Sequence, residues 1–375
     1  MLLPPLVAPA DRLSGAEAAR TARHAALYPL GEIGQRRLRA AHVAIVGAGG
    51  LGSPAVLALA AAGVGRITVI DDDVVEHSNL QRQVIHRVRD VDAPKVDSAV
   101  RAAADLAPEC TVAAVARRLT ADNATEVLSG ADLVLDGTDS FDTRLLVAAA
   151  CESLGVPLVW GVVQEFHAQV TVFWSAPPAG TTATRLSDLY PAGSAGDLPS
   201  CADVGVLGAL VMHVGSIMAT QAILLITGIG EPLVGRIALV DALRGTTREV
   251  PLTGSSGRPG AASPEPVEIR AADLIPDTML LIDVRAAGER ERSGVTGAMT
   301  MPLSEILRDP RAAAERISER AAGRDIVTVC AAGVRSARAT AVLAREGLRT
   351  RSLAGGIAAW NALGSADPAG DRAGA

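Results

Sequence analysis

The chain has 375 residues, enough for two ordinary domains; 49% are hydrophobic and 20% charged, so sizeable cores are possible. The net charge of −6 speaks against general nucleic-acid binding. Four cysteines, Cys110, Cys151, Cys201 and Cys330, are widely spaced and form no C-x-x-C pair, which suits a reducing, cytoplasmic setting and leaves no sequence-local zinc or redox pair.

The N-terminal stretch MLLPPLVAPADR is apolar and proline-containing but lacks a basic n-region. Residues 1–19 are therefore expected to form a disordered or loosely docked arm rather than a signal peptide. Arg20 to Ala40 reads as helix and turn, opening with R-T-A-R-H and followed by G-x-x-G-Q from Gly31 to Gln35. The arginines suit surface solvation, or an arm that reaches into a neighbouring site.

His42 to Val46 is a short β-rich apolar run, followed by GAGGLG and an apolar helix from about Leu51. Gly47, Gly49, Gly50 and Gly52 allow a tight turn and a close backbone approach, and the helix N-terminus adds an anion site. A second strand, Arg66 to Ile70, ends at Asp71, placed to hold a ribose hydroxyl. Up to here a dinucleotide site is an open reading. The next block, Asn79, Gln81, Arg82, Gln83 and then Lys95, favours a triphosphate, which needs more cations than one pyrophosphate. Lys95 is the only lysine; every other cation except histidine is arginine. A position that keeps lysine against that bias calls for a compact ammonium; the alternative is chance on a solvated helix face.

Pro94 opens a helix through about Leu106. Thr111–Val115 is expected as a strand, Ala121–Leu128 as a short helix capped by Thr120, and Asp132–Leu135 as a strand ending in D-G-T-D-S (Asp136 to Ser140). A helix over Phe141–Ser153 and a strand over Pro157–Trp160 follow. Strands alternating with helices imply a mostly parallel sheet covered on both faces, with ligands at the carboxyl ends of the strands. Gly47, Asp71 and Asp139 all fall there. Ala168–Trp174 suits an antiparallel extension. The long irregular stretch Ser175 to Asp203 carries Cys201, either a small apolar anchor or a nucleophile on a loop. Val204 to Gly230 lacks Asp, Glu, Lys and Arg and is long enough to span a bilayer. Its His213, Gln221 and glycines, amid α/β patterns, favour a buried helix from Leu207 to about Ile226. No membrane association is expected. Arg236–Asp241 and Thr246–Leu252 read as a hairpin.

Residues 253–266, TGSSGRPGAASPEP, have linker composition. A smaller α/β domain follows over 267–363. Leu280–Val284 and Ile326–Val329 are its clearest strands, and residues 364–375 are a Gly/Ala-rich tail expected to be disordered. The loop from Cys330 to Ser336 enters a helix, so backbone amides and a helix N-terminus face the sulfur. That stabilises a thiolate or persulfide, and Arg335 adds charge. A phosphatase-type phosphate-binding Cys/Arg loop, here with four residues between Cys330 and Arg335, is the other reading at this level.

These motifs resemble a known pair of families. R-x-x-R-H (Arg20 to His24), G-A-G-G-L-G (Gly47 to Gly52), N-L-Q-R-Q (Asn79 to Gln83), P-K-V (Pro94 to Val96) and D-G-T-D (Asp136 to Asp139) resemble the ubiquitin-activating-like adenylyltransferases of molybdopterin and thiamin synthesis. D-V-R (Asp283 to Arg285), the Cys330 loop and A-G-G-I-x-A-W (Ala354 to Trp360) resemble a rhodanese domain. The resemblance implies an α/β fold with a Rossmann-like mostly parallel sheet, an antiparallel extension and a smaller rhodanese domain. It implies ATP-dependent adenylation of a ubiquitin-like sulfur carrier ending in Gly-Gly, then sulfur transfer to a thiocarboxylate. Gly47 to Gly52 would hold phosphate, Asp71 the ribose, and Asn79, Arg82, Gln83 and Lys95 the rest of the nucleotide. Asp139 would bind Mg²⁺, and Arg23 would enter from a second subunit of a homodimer. Cys201 matches a loop cysteine that in some members bonds the acyl group. Cys330 would carry a persulfide charged by a cysteine desulfurase or by thiosulfate.

The chain also departs from these families. Two C-x-x-C zinc pairs found in many relatives are missing, so no structural zinc is expected. Ser140 stands where asparagine is usual. Ala331 and Ala332 leave the Cys330 loop with few cations, and Ser293 to Met301 lacks the usual histidine. An adenylyltransferase whose rhodanese domain only binds or regulates is the alternative.

Overall fold

The structure, a computed structural model, describes residues 3–190, 205–252, 267–275, 278–285, 289, 297–331 and 333–364. Cys201, Ala332, the 253–266 linker and most of the tail lie outside them. The chain divides into two compact units, Met1–Ser256 and Gly257–Ala375.

The first unit is built on an eight-stranded sheet. Its strands are β1 (His42–Val46), β2 (Arg66–Ile70), β3 (Thr111–Val115), β4 (Leu133–Asp136), β5 (Leu158–Gln164), β6 (His167–Phe173), β7 (Arg236–Asp241) and β8 (Thr246–Pro251), in the order β3-β2-β1-β4-β5-β6-β7-β8. The first five run parallel, and the pairs β5–β6, β6–β7 and β7–β8 are antiparallel. The central parallel strands β1, β2 and β4 are buried over nearly all their length, as strands covered on both faces are, whereas the edge strand β3 is partly exposed.

Nine α-helices accompany this sheet among the described residues: α1 (Gly15–Arg20), α2 (Ala22–Ala25), α3 (Gly31–Ala40), α4 (Gly52–Ala62), α5 (Lys95–Leu106), α6 (Ala124–Leu128), α7 (Phe141–Leu154), α8 (Leu186–Leu189) and α9 (Gly208–Thr227). α4 and α9 pack on one face with Leu59, Val214, Met218 and Val170 in a shared core. α6 and α7 cover the other with Leu128, Val147, Trp160 and Phe173. Among the described residues α9 is the one helix long and apolar enough to cross a membrane. It instead lies against α3, α4, β5 and β6, the packing expected of a core helix.

Of the two readings of the N-terminal stretch the docked one applies, and three element boundaries move. Residues 3–14 are docked: Leu3 is buried, and the Leu6 N–H donates to the Leu225 carbonyl at 3.1 Å. Helix α1 starts inside the expected arm because Ser14 caps it, its hydroxyl accepting from the Glu17 N–H. Helix α6 begins only at Ala124; the Asn123 side chain turns back to accept from the Thr120 N–H and closes a turn in place of the first helical residues. Strand β5 runs four residues beyond Trp160, because β6 pairs with it through Gln164↔His167.

The second unit is a five-stranded parallel sheet, β11-β10-β12-β13-β9, made of β9 (Glu268–Ile269), β10 (Met279–Asp283), β11 (Met299–Thr300), β12 (Asp325–Val329) and β13 (Thr350–Leu353). Helices α10 (Leu303–Arg308), α11 (Pro310–Ala321) and α12 (Val334–Arg345) form one core around Ile282, Ile306, Ile317 and Leu343. Helix α13 (Gly356–Gly364) covers the other face through Ile357, beside Leu281 and Val327. Buried Asp283 and Arg285 pair at 2.7 Å at the end of β10.

Leu135 sits in the central strand β4 with no solvent exposure. Replacing it with alanine is expected to destabilise the first unit by about 2–5 kcal/mol, read as a lower denaturant midpoint for that unit's transition.

Candidate active site

Strand order reverses between β1 and β4, and ligands of open α/β sheets bind at such a switch point. The two loops meet there. Gly47 donates to the Ile70 carbonyl at 2.8 Å, and Gly137, just past β4, donates to the Val46 carbonyl at 2.8 Å. Gly47 has φ +89°, open mainly to glycine. A Cβ on Gly52 would lie 1.8 Å from the Gly47 carbonyl oxygen, so the loop closes on itself only without one.

A cavity of about 230 Å³ opens on this loop. Its walls include Gly47, Gly49 and Gly50 from the loop, Asp71 to Asp73 after β2, Arg82, Gln83 and Lys95, and Gly137 to Ser140 after β4. The sequence reading of these residues as neighbours is what the geometry brings together. Asp71 holds the loop: its carboxylate accepts from the Ala48 N–H at 2.7 Å and the Asp73 N–H at 2.9 Å. Burial raises its pKa, opposed by Lys95 and by those two donors.

Lys95 is buried, and its ammonium meets Asp73 at 2.7 Å. A solvated helix face is therefore ruled out for it. Arg82 is half-buried and donates to the Ser78 carbonyl at 3.2 Å. The buried Gln83 Oε1 has no hydrogen-bond partner among the described residues. Such orphaned buried acceptors are rare and mark ligand or water sites. Asp139 is exposed at the rim. Ser140, where asparagine was expected, caps α7 by accepting from the Thr143 N–H at 3.5 Å.

Two expected residues stand elsewhere. Asn79 is buried but does not line the cavity; its Oδ1 accepts from the Glu76 N–H at 3.1 Å, capping the turn that carries Arg82. Arg23 lies on α2. Its neighbours Arg20 and Gln35 bond the Ala61 and Ala62 carbonyls at the far end of α4 from the glycine loop. It is thus remote from its own chain's cavity.

Sequence reasoning missed Arg117, Arg118, Thr143 and Arg144, which also line the cavity. Arg117 and Arg118 follow β3 at its carboxyl end, so the rule that selected Asp71 would have found them. Arg144 is buried on α7, donates to the Thr138 carbonyl at 2.8 Å and lies 5.9 Å from the Trp160 ring centre.

Behind the loop, His86 is buried close to the Ala48 backbone, and neither ring nitrogen makes a well-formed hydrogen bond among the described residues. Burial and then the Lys95 charge push its pKa down to about 4. Cys110 and Cys151 are inert by the same physics: burial pushes the Cys110 thiol up to about 11 and that of Cys151 higher still.

In the second unit Cys330 follows β12, and its buried Sγ accepts from the Gly333 N–H at 3.2 Å and lies 3.5 Å from the Ser336 hydroxyl. That amide is the anion-stabilising donor expected of the loop. Arg335 is not a free cation: its guanidinium is bound by both oxygens of Glu289, at 2.7 and 2.8 Å.

Comparison with known proteins places each unit in a family. The ThiF family matches residues 21–258, and the Rhodanese-like domain matches 269–363. The chain is 40% identical to the probable adenylyltransferase/sulfurtransferase MoeZ of Mycobacterium tuberculosis, over 96% of each chain. It is 44% identical to the sulfur carrier protein adenylyltransferase of Thermus thermophilus, over 61% of this chain and 84% of that one. The crystal structure of E. coli MccB with ATP shares the fold at TM-score 0.53 and 20% identity, covering 63% of this chain and 72% of that one. The chain belongs to the ThiF family and carries a rhodanese-like domain behind its ThiF region. It is an ATP-using adenylyltransferase with a sulfurtransferase domain.

His86 generates a pH prediction. Its folded value lies below the ordinary value near 6.5, so on acidification the unfolded chain takes up the proton first. The stability tied to neutral His86 is present above about pH 6.5 and lost as pH falls toward about 4. Denaturant midpoints of the first unit at pH 7.5 and 5 should therefore differ less in His86→Gln than in the parent chain.

Proposed function

We propose that this enzyme adenylates the C-terminal Gly-Gly carboxylate of a ubiquitin-like sulfur carrier and then converts it to a thiocarboxylate. The observation that carries the reading is the cation-lined cavity on the glycine loop at the switch point, with the buried Lys95–Asp73 pair in its wall. ATP suits these walls: backbone groups of Gly47 to Gly50 approach the phosphates, Asp71 lies where a ribose would bind, and Arg82, Arg117, Arg118 and Lys95 supply positive charge.

The carrier carboxylate attacks the α-phosphorus. A C–O–P bond forms, the α–β phosphoanhydride breaks, and pyrophosphate leaves. Two anions repel at this step. Arg82, Arg144 and Lys95 offset the repulsion and stabilise the charge developing on pyrophosphate. Asn79 acts indirectly, by setting the turn that presents Arg82. Asp139 is the residue that would hold Mg²⁺, which supplies further charge neutralisation.

In the sulfur step the terminal sulfur of a Cys330 persulfide attacks the acyl carbon, and AMP leaves. A second thiol then attacks the Cys330 sulfur, forming a disulfide with it as the S–S bond breaks and the thiocarboxylate leaves, and a thiol reductant returns Cys330 to the free thiol. Cys201 is a nucleophile for the same acyl group in this scheme, on a segment outside the described residues. The persulfide is supplied by a donor such as a cysteine desulfurase or thiosulfate. Arg23, remote from its own cavity, serves that of a second subunit in a homodimer. The boundaries 20–252 and 267–363 for the two catalytic regions, and a cytoplasmic location, belong to the same reading.

ATP–pyrophosphate exchange with purified protein and a Gly-Gly-ending carrier tests it. Exchange should depend on the carrier and fall about 100-fold or more in Lys95→Ala; exchange that ignores both would refute the adenylation reading. Cys330→Ala should keep exchange and lose thiocarboxylate, read by mass spectrometry of the carrier. Unchanged thiocarboxylate would reduce the rhodanese domain to a binding or regulatory module.

A further inference from the structure

A second cavity, of about 600 Å³, adjoins the first, and Asp139, Arg144 and Val163 line both. The inference drawn from it rests on the proposed carrier reading and extends it. From that junction the cavity crosses the ends of four hydrogen-bonded strands: β5 at Val162 to Gln164, β6 at His167 to Gln169, β7 at Leu239 to Asp241 and β8 at Thr246 and Arg248.

The register orders its wall. Val162 pairs with Gln169, Gln169 with Leu239, and Leu239 with Arg248. Residues directly opposite one another share a face. One continuous row therefore leads from the adenylation cavity to Arg248. Three strand spacings of about 4.8 Å make that row about 14 Å long. An extended peptide advances about 3.3 Å per residue, so about four residues cover it.

Charge along the row is uneven. The Asp241 carboxylate is engaged by Arg244 at 3.3 Å and faces His167 at 3.9 Å. Arg248 is exposed on β8 and has no ion-pair partner among the described residues. The free charge at the outer end is thus positive, and its complement is a carboxylate. The occupant must also end in a carboxylate at the Asp139–Arg144 junction, which is where the carrier terminus reacts.

We propose that Arg248 is a specificity-determining residue: it reads an acidic side chain at the fourth or fifth position from the carboxyl end of the carrier, whose extended terminal segment lies in this cavity. The two glycines then occupy the inner end beside Asp139 and Arg144, and recognition by charge happens at the outer end beside Arg248.

The test uses the full chain in ATP–pyrophosphate exchange. The probe is a ubiquitin-like carrier ending in Gly-Gly, with alanine at the third to sixth positions from its carboxyl end except for a single glutamate or lysine moved through them. Glutamate at the fourth or fifth position should lower KM about fivefold relative to alanine and leave kcat unchanged, the size of an exposed charge pair. Lysine there should raise KM. Arg248→Glu should reverse the preference, so that the lysine carrier becomes the better one. A preference that Arg248→Glu leaves untouched, or KM values that ignore charge while exchange proceeds, would overturn the proposal and leave the carrier reading standing. Exchange with none of the carriers would overturn the carrier reading and the proposal together.

Discussion

The turn from β1 into α4 is the constraint on which the first unit depends. Its closure needs backbone against backbone: a Cβ on Gly52 would sit 1.8 Å from the Gly47 oxygen, and one on Gly47 would sit 3.0 Å from the Gly137 oxygen. Because three glycines occupy that crossing, the loops after β1 and β4 touch at the point where strand order reverses. Asp71 then ties the loop to β2 by accepting the Ala48 N–H. The Gly47 and Ala48 N–H groups are held by Ile70 and Asp71, and the cavity forms over the glycine turn that leads into the N-terminus of α4, the kind of backbone that holds phosphate.

The electrostatics around that loop follow from the same packing. Lys95 starts a helix whose first residue is buried, so its ammonium is surrounded by protein and can be held by one carboxylate, Asp73. A planar guanidinium presents five donors and would need more partners than this wall supplies. The arginines occupy more open positions, Arg117 and Arg118 after β3 and Arg82 on its capped turn. Arg144 differs: it is buried, anchored on the Thr138 carbonyl and laid beside Trp160, and it stands at the boundary of the two cavities. The antiparallel strands β6 to β8 extend the sheet past that boundary and create the second cavity, which a purely parallel sheet of five strands would lack.

The second unit applies a different solution to holding an anion. It uses a single strand-to-helix loop with Cys330 beneath the Gly333 amide and beside Ser336. Gly356 lets the neighbouring chain approach the Cys330 and Ala331 carbonyls closely, since a Cβ there would meet them at 2.4 and 2.6 Å. The nearby cations are balanced by carboxylates, Arg335 by Glu289 and Arg285 by Asp283. The donor shown at the sulfur is therefore the Gly333 N–H, since the Ser336 hydroxyl donates to the Gly333 carbonyl at 2.7 Å.

Much of this was legible in the sequence, and the reason is that local patterns report local physics. GAGGLG after HVAIV required a tight turn into a helix, and a charge-free run with His213 and Gln221 amid α/β patterns required a buried helix. Asp71 and Asp139 were legible because strand ends are visible in the chain and ligands gather there. The exceptions were decided by tertiary structure. Asn79 looked like a ligand by its motif, but the Glu76 N–H took its side chain. Arg335 looked free until Glu289, 46 residues earlier in sequence, met it. Arg117, Arg118 and Arg144 joined one wall only because β3, β4 and β5 lie near β1. The second cavity depends on the register of four strands, and register is a property of pairing. A sequence by itself determines which residues turn, cap and bury; which distant charges and carbonyls come to share a cavity is decided only when the strands take their order.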